Sequence, residues 1–303
     1  KASYDIIKTG WYTLPNIDID PLYDVNGGNV VLNSSQLIFE RRNNDDNAFE
    51  SRNLPIGFEN GNSGNTPTQN LVDAYEMADG TPFSWENTKH ASQPYSGRDP
   101  RFYKAILYNG ASFMGAKIET FEGGRNASPI AGATLTGYYL RKYMNETVSL
   151  SPTNPVKKPH HFILFRYAET LLNYAEAMNE LGGPDYTAEG LPLSARTALN
   201  MVRTAANMPG ITDKGDDFTT RLRNERRIEL AFEDHRFWDI RRWMIGDVVK
   251  DIYGVKIAKK GSKYSYTPVK IQTRVWDEKM NLYPIAQSEI YKNGNLTQND
   301  GWE

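Results

Sequence analysis

The most regular pattern of apolar positions in this 303-residue chain lies after Pro159. Apolar residues recur there at intervals of three and four, the spacing that gathers side chains on one face of a helix. The stripe consists of Leu164, Ala168, Leu171, Leu172, Ala175 and Met178. The run Gly182-Gly183-Pro184 predicts the end of this helix, because glycine terminates helices and proline cannot continue them.

A second helix is predicted to start near Pro192. Its apolar face is made mostly of small residues, namely Ala195, Ala198, Leu199, Val202 and Ala206. Small side chains permit close antiparallel contact, so the two helices predict a hairpin of tetratricopeptide style. One hairpin is not a repeat array, and it cannot cover its own outer face.

The rest of the pattern divides the chain into zones within one domain, 1–303. Residues 1–65 are rich in Asn, Asp and Gly and predict a variable, loop-rich region. Residues 66–158 predict a mixed region of brief helical turns and extended pieces. Residues 159–303 predict the hairpin followed by further helices. The fold class is therefore mainly α, with long irregular loops and a few short strands.

Local elements are predicted at four places before the hairpin. Val30–Leu32 and Leu37–Phe39 are short apolar runs that favour strands. Leu71–Met77 favours a short helix, and Phe102–Leu107 favours a strand or the start of a helix.

The segment 223–243 concentrates charge to an unusual degree. It holds six arginines, five acidic residues and four aromatics, with no Gly or Pro. On a helix, Glu225 and Glu229 share a face with Phe218, Leu222 and Phe232. Buried carboxylates need partners, which predicts a structural ion network of Glu225, Arg226, Arg227, Glu229, Arg236, Asp239, Arg241 and Arg242. A charged ligand site is the alternative. Trp238 and Trp243 belong to these helices and are predicted to lie in the core.

The same segment carries a family resemblance. Its pattern E-R-R-x-E-L-x-F-E-x-x-R-F-W-D-x-x-R-W resembles a signature of SusD/RagB-type proteins, the surface glycan-binding lipoproteins of certain Gram-negative bacteria. Four other segments agree in the family's order: Thr66–Gly80, Gly97–Gly110, Leu164–Gly182 and Leu282–Trp302. Ala286 and Asp300 stand where the family has prolines. The family's N-terminal half, a helical-repeat region behind a lipidated cysteine, has no counterpart in this sequence, so we expect the hairpin to leave apolar surface or find a substitute partner.

The resemblance implies a function. It implies non-catalytic capture of an oligosaccharide at the outer-membrane surface, on a lipid anchor, and delivery to a SusC-like TonB-dependent transporter. Two other classes stay open, which are a helical-repeat protein that binds a peptide or protein, and a carbohydrate-active enzyme. Retention on a polysaccharide without product would favour capture, whereas turnover would favour the enzyme.

Composition excludes several functions. The formal net charge is −2 with no basic stripe, which argues against a nucleic-acid partner. There is no cysteine, so disulfides, thiolate metal sites and cysteine nucleophiles are excluded. No apolar run approaches the roughly 18 residues of a membrane span. No cofactor is predicted.

Two segments superficially suggest metal ligands. Asp18, Asp20, Asp24 and Asn26 partly follow a calcium-loop spacing, but Pro21 and the missing twelfth-position Glu break the EF-hand pattern. His160-His161 precedes an apolar run and is predicted to be a loop entering a helix. No metal site is predicted from either segment.

Enzyme motifs are also lacking. There is no G-x-S-x-G elbow, phosphate-binding glycine loop or H-E-x-x-H sequence, so no catalytic residue is predicted. In 98–101 the run Arg-Asp-Pro-Arg predicts a structural turn.

Sugar contacts are predicted from composition. A pyranose offers an apolar face and a rim of hydroxyls, so a site pairs aromatic rings with Asn, Asp, Gln or Arg. Loop aromatics next to such groups are Trp85, Trp11, Tyr12, Tyr23 and Tyr95. Simple packing of these rings within loops is the alternative.

Overall fold

The structure is a computed structural model that describes residues 1–24 and 34–303. Short helices come first along the chain, and the long ones follow 166. The α-helices are α1 (Ala2–Ile7), α2 (Ala48–Asn53), α3 (Gln69–Ala74), α4 (Thr88–Ser92), α5 (Pro100–Ala105), α6 (Tyr167–Gly182), α7 (Ala195–Ala205), α8 (Gly215–Glu229), α9 (His235–Arg242) and α10 (Gln287–Lys292). Among the described residues, none of these helices is long and apolar enough to cross a membrane.

The strands form small antiparallel pairs that pin loops together. They are β1 (Leu37–Arg41), β2 (Asp45–Asp46), β3 (Ile106–Leu107), β4 (Ser112–Phe113), β5 (Ala116–Lys117), β6 (Tyr139–Leu140), β7 (Lys158–Pro159), β8 (Phe162–Arg166), β9 (Asp251–Lys260) and β10 (Lys263–Thr273). The pairs are β1 with β8, β2 with β7, β3 with β6, β4 with β5 and β9 with β10. Helices therefore hold more of the described chain than strands do, and loops connect both.

The predicted hairpin is present as α6 and α7. Their apolar faces form one buried cluster, together with residues of α8. One boundary is corrected, since Leu164 lies in β8 and is half-exposed, and the helix begins only at Tyr167. The hairpin's outer face meets α1, where the Tyr4 ring lies 5.7 Å from that of Tyr174. The tetratricopeptide-style geometry stays a prediction.

The charged segment is two helices and not one. α8 ends at Glu229, and a turn follows in which Phe232 and Asp234 have φ of 65° and 62°. Because the chain reverses there, Phe232 leaves the stripe that it was predicted to continue. The core prediction for the tryptophans is also wrong, since Trp238 is 57% exposed and Trp243 is half-buried.

The end of the chain differs from the helical prediction. Its main element is the hairpin β9–β10, which holds the longest strands of the described residues. At the other end, β1 contains the predicted strand Leu37–Phe39, whereas Val30–Leu32 lies outside the described residues. The short helix predicted at 71–77 is α3, which starts and ends slightly earlier.

Two further predictions can be placed. Phe102–Leu107 contains the end of α5 and all of β3, so it is both a helix and a strand. His160-His161 is not a helix entry, because it joins β7 to β8 and both side chains are buried.

Candidate functional site

The carboxylates of α8 are buried, but their partners come from other parts of the chain. Glu229 bonds to Nη1 of Arg166 at 2.7 Å and to Nη1 of Arg101 at 2.8 Å. Glu225 bonds to Arg101 and, at 2.7 Å, to Nη1 of Arg203. These three arginines are almost fully buried. The predicted carboxylates are therefore buried and paired, but the prediction of their arginine partners is wrong.

The residues predicted as partners lie elsewhere. Arg226 bonds to Asp239 at 2.9 Å and so ties α8 to α9, whereas Arg242 bonds to Asp239 at 2.8 Å within α9. Arg227 donates to the carbonyl oxygen of Asn70, and Arg241 covers the Phe237 ring at 3.5 Å. Arg236 has no hydrogen bond or ion pair within the described chain. A helix turned by 100° per residue cannot aim all of these side chains at two carboxylates.

The network holds its charges firmly. Burial alone would raise the pKa of Glu229, but the charges of Arg166, Arg101 and Lys142 outweigh it and lower the pKa to about 2. Burial and the neighbouring Arg236 lower the pKa of Arg227 to about 10. Within the described chain, Glu225, Glu229, Glu233 and Asp239 each bond to at least one arginine, so these buried carboxylates are satisfied without a ligand. The network therefore acts as a structural connection between helices.

A cleft lies beside this network, and we call it the amide cleft. Its volume is about 610 Å³, which is within the range of small-molecule sites. Its lining combines asparagines with aromatic and apolar side chains. The lining residues are Asn43, Asp46, Ala48, Phe49, Arg52, Asn53, Asn62, Gly64, Asn65, Tyr143, His160, His161, Phe162, Ile163, Phe232 and Glu233.

One wall of the amide cleft is α2 with the loop that follows it. The loop folds back because the amides of Asn62 and Ser63 both donate to the Leu54 carbonyl at 2.9 Å. Gly64 passes so close to α2 that a Cβ would lie 2.6 Å from the Arg52 carbonyl oxygen. Only glycine fits at that position, so the sequence NSGN is suited to this turn.

The opposite wall is fixed by a buried pair. Both carboxylate oxygens of Glu50 on α2 lie 2.9 Å from Nε2 of His160. Glu50 also accepts a hydrogen bond from the backbone N–H of Asn145 at 2.9 Å. Two segments 110 residues apart in sequence are thereby held together. The cleft is consequently formed before any ligand arrives.

Several polar groups in the amide cleft are unpaired. The side chains of Arg52 and Asn62 are exposed and have no hydrogen-bond partner among the described residues. His161 is buried, and neither ring nitrogen has a partner there; the nearest carboxylate oxygen, of Glu40, is 3.7 Å away. Buried polar atoms are normally paired, so a ligand or water is expected to form hydrogen bonds with the ring nitrogens of His161. The cleft can thus offer hydrogen bonds beside aromatic surface.

The predicted sugar-binding aromatics are scattered. Trp11 is 78% exposed, and Tyr12 is half-buried against the ring of Tyr167. Trp85 is half-buried and donates its indole N–H to Asp73 at 3.1 Å. None of these three lines the amide cleft.

The other two predicted aromatics are buried. Tyr23 places its hydroxyl 3.2 Å from Glu229, so it is part of the ion network and not an exposed loop platform. Tyr95 lies in a buried apolar cluster. Residues such as Asn62 and Arg52 were missed, although the runs RRNNDDN and ENGNSGN signalled amide-rich loops.

The aspartates with calcium-like spacing do not converge. Asp20 is buried and caps a helical turn at the amide of Leu22, while Asp18 accepts from Asn207. Asn26 lies outside the described residues. Across 1–24 and 34–303, no three acidic or histidine side chains are grouped to hold a metal ion.

Comparisons with known proteins agree with one another. The SusD family model matches residues 35–302. A SusD-like protein from Bacteroides fragilis NCTC 9343 superposes with a TM-score of 0.81 at 27% identity, over 99% of this chain and 60% of its own. A SusD-like carbohydrate binding protein from the same organism has a TM-score of 0.75 at 27% identity, over 98% and 60%. SusD-like protein P25 from Formosa agariphila is 26% identical over 78% of this chain.

The chain spans about three-fifths of the length of these solved structures and 38% of protein P25.

Proposed function

Because the chain belongs to the SusD family, we propose that it binds an oligosaccharide in the amide cleft and does not hydrolyse it. The observation that carries the proposal is the meeting of aromatic surface and unpaired hydrogen-bonding groups in one preformed cleft of about 610 Å³. A relative of similar fold is described as carbohydrate binding. That combination fits a sugar better than it fits a purely apolar or a charged ligand.

Each lining group has a role in the proposal. Phe49 and Phe162 offer apolar surface to the C–H face of a pyranose. Arg52 can fork onto two neighbouring hydroxyls, and Asn62 can both donate and accept. His161 supplies ring nitrogens that no described residue satisfies. Trp11, Tyr12 and Trp85 stay proposed as outlying contacts for a longer chain of sugar units, whereas Tyr23 and Tyr95 are buried.

The carboxylates near the cleft support binding without hydrolysis. Glycoside hydrolysis generally needs two carboxyl groups, one of them protonated to act as an acid. Burial would raise the pKa of Glu233, but Arg166 and Lys142 reverse this and lower it. Glu50, which is outside the lining, is engaged with His160, and among the described lining residues Asp46 is the carboxylate without an ion pair. One such group does not make a catalytic pair.

The wider role follows the family. We propose that the whole protein captures glycan at the cell surface on a lipid anchor and passes it to a SusC-like TonB-dependent transporter in the outer membrane. This part rests on the resemblance of the sequence motifs and on the family match. A helical-repeat protein for peptides stays the alternative, and a peptide panel beside the glycan panel distinguishes the two.

The experiment compares Arg52→Ala and Asn62→Ala with Asn44→Ala. Asn44 is also an exposed loop asparagine, but it does not line the amide cleft. On native gels containing polysaccharides, the unmodified chain should be retarded by at least one of them. Each cleft variant should bind about tenfold more weakly by calorimetry, as expected for the loss of one or two hydrogen bonds, roughly 1.4 kcal/mol.

The control variant should bind like the unmodified chain. If both cleft variants keep full affinity, the amide cleft is not the site. If the chain binds none of the polysaccharides but binds a peptide of the panel, the proposal of glycan binding fails.

A further inference from the structure

A second concave surface lies against the β9–β10 hairpin, and we call it the tyrosine groove. It has a volume of about 540 Å³ and is lined by Tyr95, Tyr103, Tyr108, Tyr264 and Tyr266, together with the loop 92–97. Five tyrosines in one groove are unusual for a chain with 18 among 303 residues. Tyrosine offers a flat ring and a polar tip at little entropic cost, which suits recognition of polar ligands.

The floor of the tyrosine groove is rigid. The ring of Tyr95 lies 4.7 Å from that of Tyr108 and 5.3 Å from that of Tyr266. Tyr103 donates its hydroxyl to the Tyr95 carbonyl at 2.8 Å and accepts the amide of Arg98 at 3.1 Å. On β10, Tyr264 and Tyr266 are two residues apart, so they project on the same face. These contacts hold the rings in place without a ligand.

A buried arginine also fixes the loop that forms the rim. Arg98 is 2% exposed and donates to the carbonyl oxygens of Pro94, Val72 and Tyr75. Its guanidinium group also lies 4.2 Å from the centre of the Phe83 ring. Because the guanidinium group of Arg98 is buried and hydrogen-bonded to backbone oxygens, it does not present a charge to the groove. Its role is to set the position of residues 92–97 against the hairpin.

The accessible groups of the tyrosine groove are hydroxyls and amides. The hydroxyls of Tyr108 and Tyr264 have no hydrogen-bond partner in the part of the chain that the structure describes, and the side chains of Gln93 and Ser96 have none there either. Burial raises the pKa of Tyr108, so its phenol stays protonated. No lining residue carries a charge, whereas 24% of the chain's residues do.

We propose that the tyrosine groove is a second saccharide site, which takes an uncharged sugar unit. The sugar's C–H face would lie on the ring of Tyr264, and its hydroxyls would bond to Tyr108, Gln93 and Ser96. The lining has no cation to offset the loss of an anionic sugar's hydration, and Lys259, which is outside the lining, has its Nζ 5.8 Å from the centre of the Tyr264 ring. The inference rests on the proposed glycan binding, but it uses side chains that the amide cleft does not contain.

The test uses calorimetry with four uncharged trisaccharides: maltotriose, cellotriose, laminaritriose and mannotriose. Each is titrated into the unmodified chain, Tyr264→Ala, Tyr108→Ala and the control Tyr253→Ala. Tyr253 lies on the same hairpin and is 36% exposed against 37% for Tyr264, but it is outside the groove. Both groove variants should weaken one binding event about tenfold, Tyr264→Ala by the loss of the stacking ring and Tyr108→Ala by the loss of the hydroxyl that bonds to the sugar, and the control should not.

The amide-cleft variant Arg52→Ala separates this inference from the proposed function. If Arg52→Ala weakens binding while Tyr264→Ala and Tyr108→Ala do not, the groove inference fails and glycan binding in the cleft stands. If only the groove variants weaken binding, the groove is a site and the assignment of the cleft fails. If none of the four trisaccharides binds the unmodified chain, the groove does not take an uncharged sugar and the inference is overturned.

Discussion

Glu229 is one of the two carboxylates of α8 that hold the buried network together. It bonds to both Arg166 and Arg101, and its own exposure is small. Replacing Glu229 by glutamine keeps the shape of the side chain and removes the charge. Arg166 then keeps Glu233, and Arg101 keeps Asp99 and Glu225. The change should therefore destabilise the protein without abolishing its fold.

The magnitude follows from the pKa of the group. It is about 2 in the folded protein against an ordinary value of 4.5. A difference of about 2.5 units at about 1.36 kcal/mol each corresponds to roughly 3 kcal/mol. Because the folded-state pKa is the lower one, this contribution is fully present above pH 4.5 and is lost as the pH falls toward 2. Removing a partner from a buried pair costs a similar amount, about 3–5 kcal/mol.

The measurement is chemical denaturation of the unmodified chain and of Glu229→Gln at pH 7, and then at intervals down to pH 2. The free energies of unfolding should differ by roughly 3 kcal/mol at pH 7 and converge in acid. Glu180→Gln is the control, since Glu180 is exposed on α6. It should stay within about 0.5 kcal/mol of the unmodified chain.

Double-mutant cycles locate the partners of Glu229. Arg166→Met should couple to Glu229→Gln, whereas Arg236→Ala should be additive with it, since Arg236 does not bond to Glu229. Equal stability of Glu229→Gln and the unmodified chain at pH 7 would refute the reasoning. So would coupling to Arg236 in place of Arg166.

Three further outcomes are expected. Incubation with plant and host glycans should release no reducing ends, and a release that one carboxylate substitution abolishes would contradict the proposed lack of hydrolysis. Gly64→Ala places a Cβ 2.6 Å from the Arg52 carbonyl and should lower the free energy of unfolding by about 1–3 kcal/mol; an unchanged melt would argue against the close turn. Trp85→Phe loses the bond to Asp73 and should cost about 1–3 kcal/mol, whereas Trp11→Ala should stay within about 0.5 kcal/mol in the same denaturation assay.

The elements that the sequence predicted best are those with local causes. The faces of α6 and α7 repeat every three to four residues, and Gly183 stops α6 where predicted. The β9–β10 hairpin was missed although its strands alternate: Val255 and Ile257 of β9 are buried, and Tyr264 and Tyr266 of β10 share one face. Its turn did carry a signal, since Gly261 lies in the polar run KKGSK (259–263) and has a φ of 61°. Such alternation of apolar and polar positions is typical of a strand, but the helical prediction for residues 159–303 took no account of it.

The ion partners could not be predicted in the same way. Arg101 lies 128 residues before Glu229 in the sequence, and Arg166 lies 63 before it. Nothing in the local pattern distinguishes those arginines from the ones inside the segment 223–243. Helix periodicity placed the carboxylates on a buried face, and burial required cations. Which cations meet them depends on how α5, which carries Arg101, and β8, which ends at Arg166, pack against α8.

The amide cleft depends on the same long-range packing. This packing makes the cleft rigid, and it is also the reason why the sequence alone did not predict the cleft. Its floor includes Glu233, whose charge is held by Arg166 and Lys142 of the buried network. Its far wall is held by Glu50 on His160. Ion pairs beneath the surface therefore fix the frame, while the side chains of Arg52 and Asn62 on the rim have no hydrogen-bond partner among the described residues. Since the frame does not rely on the rim, rim residues can change with the ligand at little cost in stability. The residue types on the rim consequently form no pattern in the sequence that predicts a site. Only the fold shows that these residues lie together.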